Sequence, residues 1–212
     1  MRCEITRCYD AYQPVKNDVD FVSEIFREWG KDQGRFVLTY ESASARFYKN
    51  SRTETLRSVT DESCVFVKAM EDPESGAETR IALLKAATTK HTENNKACML
   101  NKGVDRHLFV LYGTGTSSPF LDHYINQTWE LSTSHIPAVT NKLKEDDDID
   151  KSWLGACFAA VSKTGYGVAY RFAGNHAICI HISSYNSAAN TDTQRFHGRL
   201  VEALHEMSAL FA

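Results

Sequence analysis

The sequence predicts one α/β or α+β unit of 212 residues, and three observations carry that expectation. Apolar residues recur at helical spacing in several segments. Runs of β-branched and aromatic residues with period-two alternation fall between them, and no repeat or low-complexity linker divides the chain. The length suffices for one sizeable core.

Taken in order, "DVDFVSEIFREWG" sets Phe21, Val22, Ile25, Phe26 and Trp29 on one helical face, with Asp18 as N-cap and Gly30 as stop. "GRFVLTY" (34–40) reads as a strand and "TDESCVFVKAM" as a helix capped by Thr60. After a loop through Asp72, Pro73 and Gly76, a long helix spans about 77–100, with Ile81, Leu84, Ala87 and His91 along one stripe. "RHLFVLY" is a short apolar helix. Val168, Tyr170 and Phe172 alternate, Gly174-Asn175 turns, and Ile178, Ile180 and Ile182 alternate again, which is a hairpin pattern. An amphipathic helix closes the chain through Phe196, Leu200, Leu204, Met207 and Phe211.

A net charge of -3 gives no electrostatic case for nucleic acid or an acidic membrane surface. The acidic run "EDDDID" (145–150) reads as a solvated loop. The cysteines at 3, 8, 64, 98, 157 and 179 include no C-x-x-C pair, which argues for reduced thiols and against a zinc site. No apolar run approaches a membrane span, and the N-terminus lacks the apolar core of a signal peptide.

Polar islands interrupt these elements: "TYESAS" and "RTETLRS", then "DRHLF", then "LSTS". Each has an ordinary structural explanation. Asp105-Arg106-His107 suits a surface ion pair at a helix start, Ser132-Thr133-Ser134 a loop or cap, and Thr53-Glu54-Thr55 an acidic helix N-terminus.

Together and in this order, with "TGYGV" and "HISS" behind them, they resemble the C-terminal part of the choline/carnitine acyltransferase family over roughly residues 34–211. "ESCVFVKAM", "SPFL" and "RFHGRL" turn the likeness towards its carnitine palmitoyltransferase branch. The resemblance implies a coenzyme A-dependent acyltransferase-like lobe, a mixed sheet flanked by helices, incomplete beside the family's two-lobe fold. It divides the chain into a divergent helical segment, 1–33, and a C-terminal lobe, 34–212.

The resemblance also implies roles. Tyr40, Thr53 and Arg106, with Ser132 nearby, would receive the carboxylate of carnitine, which wants a charged donor and hydroxyls at fixed geometry. Choline-using relatives lack an arginine at the Arg106 position, so this residue favours carnitine. Ser134 would donate to the oxyanion of acyl transfer. Phe158 and Val161 would wall the trimethylammonium. Ala156, with Gly155 before it, stands where short-chain members carry a bulky methionine, which implies room for a medium or long acyl chain. Coenzyme A or acyl-coenzyme A enters as substrate, with no bound cofactor or metal.

The chain departs from the family in several places. None of its eight histidines begins an H-x-x-x-D-G sequence, so no general base can be nominated. That base and the lysines for the coenzyme A phosphate belong to the N-terminal lobe of the same enzyme, the implied partner. Ala159-Ala160 replaces a Gly-Pro, and His135 stands for the usual glutamine. Two rival readings stay open: a catalytically dead carnitine-binding or regulatory module, and a structural relic with an exposed apolar face that pairs with a partner subunit. By resemblance the enzyme works at the cytosolic face of the mitochondrial outer membrane, attached through upstream helices, and this chain alone would be soluble.

Overall fold

The computed structural model describes residues 2–9 by their backbone, together with 38–45, 47–115, 118–126, 128–136, 156–173 and 177–212. Among the described residues six strands form one mixed sheet: β1 (Arg2–Tyr9), β2 (Leu38–Ala43), β3 (Glu54–Leu56), β4 (Trp129–His135), β5 (Tyr166–Ala173) and β6 (Ala177–Ser184). Their order is β1-β6-β5-β4-β2-β3. The pairs β2/β4 and β4/β5 are parallel, while β1/β6, β5/β6 and β2/β3 are antiparallel. Five helices accompany the sheet among the described residues: α1 (Asp61–Glu71), α2 (Ala77–Met99), α3 (Val104–Gly113), α4 (Pro119–Ile125) and α5 (Thr193–Ala209).

The local chemistry explains the helix ends. Thr60 accepts from the Ser63 amide at 3.2 Å, and Ser63 Oγ accepts from the Thr60 amide at 2.8 Å, closing a capping box. Thr60→Ala is expected to cost about 1 kcal/mol, read as a lower denaturant midpoint with an unchanged slope. Asp192 caps α5 by accepting from the Gln194 and Arg195 amides. Leu84, Ala87 and His91 of α2 are buried, as their spacing implies.

Alternation divides the sheet into two faces. One carries Leu131, Val168, Tyr170, Ile178, Ile180 and Ile182, packed with Phe66 and Val67 of α1, Leu84 of α2, and Phe196, Leu200, Leu204 and Met207 of α5. Burying each of these large side chains contributes about 1.5–3 kcal/mol, so this face holds the core. The opposite face carries Tyr40, Ser132, Ser134, Gly167, Ala169, His181 and Ser183, which are polar or small apart from Tyr40.

Several expectations change. Residues 2–9 form an edge strand against β6, not a stretch of the helical segment expected over 1–33; strand pairing at an edge uses backbone groups and leaves little side-chain pattern. The helix expected over 18–30, residues 34–37 of the expected strand, the Gly174-Asn175 turn and the 145–150 run lie outside the described residues. Thr53-Glu54-Thr55 leads into strand β3 and starts no helix, while Ser132-Thr133-Ser134 is strand and not loop. Phe211 lies past the end of α5 and is 43% exposed, because the apolar stripe closes at Met207. α3 forms as expected, but its Val104, Phe109, Val110 and Tyr112 are exposed.

Candidate active site

β4 lies between two parallel neighbours, and the alternation of "LSTS" divides its hydroxyls between faces. Thr133 turns towards the core side, where its Oγ1 lies 3.3 Å from a Glu41 carboxylate oxygen that is buried with it. The other Glu41 oxygen accepts from Tyr170 Oη at 2.9 Å. Ser132 and Ser134 project from the opposite face, Ser132 buried and Ser134 half-buried. Tyr40 pairs with Ser132 in the β2/β4 register and shares that face. The structure therefore brings Tyr40, Ser132 and Ser134 together.

The "RTETLRS" and "DRHLF" islands exchange charges. Arg57 donates to both carboxylate oxygens of buried Asp105, at 3.1 and 2.9 Å. In the other direction Arg106 sets its Nε 3.5 Å from Glu54, whose side chain is 2% exposed. Arg106 Nη2 also donates to the carbonyls of Arg52, at 3.1 Å, and Thr53. Among the described residues its Nη1 has no partner, so one edge of the guanidinium remains for a ligand. Arg106 thus meets Thr53 through the Thr53 backbone, and the Thr53 side chain stays exposed.

Sequence reasoning missed Glu54 and Arg57 as the residues that fix this pair of motifs. Their signal was present as opposite charges in two islands, but the islands lie about fifty residues apart and only the fold matches them. Close approach is part of the clamp: a Cβ on Gly103, just before α3, would stand 2.8 Å from Glu54 Cγ. Burial, with Glu54 and Asp105 beside it, pushes the Cys98 thiol up to about 11, so this cysteine stays protonated and unreactive.

Arg57 reaches further. Its guanidinium lies 4.1 Å from the centroid of the Trp129 ring, and Trp129 meets the Tyr40 ring edge-on with centroids 5.1 Å apart. The chain of contacts Asp105, Arg57, Trp129, Tyr40 ties the start of α3 to the serine face.

The Phe158 loop lies on that face too. Ser183 Oγ donates to the Phe158 carbonyl at 2.6 Å, and a Cβ on Gly167 would stand 3.1 Å from the Phe158 ring. Gly167 is the register neighbour of Ser132, so the ring lies beside the serines. The Ala159-Ala160 replacement leaves this contact possible, with Ala160 buried against the same strand. Val161 is 58% exposed and Ala156 is exposed, while Gly155 lies outside the described residues. His135 packs on Tyr170 and Phe172, with centroids 5.4 and 5.3 Å away, on the core side of β4. Among the described residues no group of three His, Cys, Asp or Glu is placed to hold a metal, and no helix is long and apolar enough to cross a membrane.

Comparison with known proteins shows the family. The family model for choline/carnitine O-acyltransferase matches residues 28–202. Human carnitine O-palmitoyltransferase 1, liver isoform, is 41% identical over 186 residues, covering 85% of this chain and 24% of that protein. The human muscle isoform is 42% identical over 188 residues with the same coverage. Pigeon (Columba livia) carnitine O-acetyltransferase is 34% identical over 185 residues, 84% of this chain and 27% of that protein. The chain thus spans about a quarter of the length of these relatives, and it belongs to the choline/carnitine O-acyltransferase family.

Proposed function

We propose that this chain is the C-terminal lobe of a carnitine acyltransferase that moves a medium- or long-chain acyl group between coenzyme A and the carnitine hydroxyl. The carrying observation is the Arg106 guanidinium, fixed on one side by Glu54 and the backbone carbonyls of Arg52 and Thr53 and open on the other. A cation of this kind suits a carboxylate, which carnitine has and choline lacks. Tyr40 and Ser132 would complete the receptor, and Phe158 with Val161 would face the trimethylammonium.

In the reaction, a histidine of a preceding lobe takes the proton of the carnitine hydroxyl as its oxygen attacks the thioester carbonyl. Ser134 Oγ donates to the oxygen on which negative charge develops. Collapse of the tetrahedral intermediate breaks the carbon–sulfur bond, and the thiolate leaves with the proton from the histidine. The preceding lobe would also hold the coenzyme A phosphates, and Gly155 with Ala156 would leave room for the acyl chain. By its resemblance to the palmitoyltransferase branch, the whole enzyme would work at the mitochondrial outer membrane, facing the cytosol.

The test is Arg106→Gln in the full-length enzyme. A lost charge-assisted contact is expected to raise the carnitine KM by about 10²-fold and leave the acyl-coenzyme A KM unchanged. A variant with unaltered carnitine KM would remove the receptor from this site.

A further inference from the structure

The register between β2 and β4 slips at one point. Leu38 pairs with Trp129 and the next residue, Thr39, pairs with Leu131, so Glu130 is the extra residue of a bulge. Under strict alternation Glu130 would share the face of Tyr40 and Trp129 would lie on the opposite one. The slip brings the indole to the Tyr40 side instead.

The bulge is firmly held. Glu130 is 2% exposed, and Thr164 Oγ1 lies 3.2 and 3.4 Å from its two carboxylate oxygens. Arg57, itself fixed on both oxygens of Asp105, lies over the indole at 4.1 Å from its centroid. Tyr40, by contrast, is half-buried, and among the described residues its hydroxyl has no hydrogen-bond partner. The direction of that hydroxyl is therefore set by how its ring packs, and its ring partner is Trp129.

We infer that Trp129 is a positioning residue: it holds the Tyr40 ring edge-on so that the hydroxyl points at the substrate carboxylate. This role rests on the carnitine-carboxylate reading of Tyr40. Trp129 acts through Tyr40, and the carboxylate lies away from the reacting hydroxyl, so its loss falls on carnitine affinity and not on the chemical step.

Kinetics of the full-length enzyme test the inference in four forms: wild type, Trp129→Leu, Tyr40→Phe and the double variant. Trp129→Leu is expected to raise the carnitine KM by about fivefold, with kcat and the acyl-coenzyme A KM held within about twofold. On the Tyr40→Phe background, with no hydroxyl left to aim, the same change is expected to add nothing. Should Trp129→Leu fail to fold, Trp129→Phe serves in its place, with about a twofold rise that again requires the Tyr40 hydroxyl. An unchanged carnitine KM, or an equal rise without that hydroxyl, overturns the positioning role. Tyr40→Phe that leaves the carnitine KM untouched removes the receptor reading itself, and the role of Trp129 with it.

Discussion

Ser134→Ala is expected to lower kcat for acyl transfer by about 10²–10³-fold, the usual loss when one donor to a developing oxyanion is removed. The carnitine KM is expected to change little, because the serine would meet charge that exists only in the transition state. Its setting supports this. Ser134 pairs with Ala169 on an interior strand of the sheet, so its backbone is held, and the side chain is half-buried on the Tyr40 face. Thr133, one residue away, serves as the control. Its hydroxyl turns to Glu41 on the other face, so Thr133→Ala should alter stability and spare kcat. Comparable kcat losses in both variants would mean that Ser134 acts only through the fold.

Gly165→Ala is expected to be the most damaging methyl added at any of the described glycines. A Cβ there would stand 2.1 Å from the carbonyl oxygen of Glu130 and 2.7 Å from its carbonyl carbon. These are backbone atoms of the bulge and cannot swing aside as a side-chain end would. Overpacking of this kind costs about 3 kcal/mol or more, which in a domain of this size lowers Tm by about 6–12 °C. The displaced bulge should also turn Trp129 away, so the carnitine KM rises with the loss of stability. A variant with wild-type Tm and KM would show that the 162–165 turn can lift away from Glu130 without consequence.

Much of the fold was legible because period-two and period-3.6 patterns survive wherever one face is buried. Val168, Tyr170 and Phe172 alternate with the register of β5, and the Leu84–Ala87–His91 stripe marks the buried side of α2. Thr60 announced its helix through side-chain chemistry confined to four residues. The motifs of the site were legible for a different reason, since their order along the chain resembles one family and the family model spans the same residues.

What stayed hidden depends on contacts between distant segments. Glu54 and Arg57 sit in one island and their partners Arg106 and Asp105 in another, with no periodicity to link them. The bulge at Glu130 was invisible because a single extra residue in the polar stretch "WELSTSH" disturbs no hydrophobic pattern. β3, three residues long and preceded by polar residues, carried too little alternation to be distinguished from a helix start. The exposed apolar residues of α3 show the converse: helical spacing identified the helix, but spacing alone does not say which face is covered.

The most direct measurement is the release of coenzyme A from palmitoyl-coenzyme A by the native protein, captured from its source with an antibody against α5. Release that depends on added carnitine, and that choline does not support, is the expected result. Release that is indifferent to carnitine, or equal with choline, would contradict a carboxylate receptor built around Arg106.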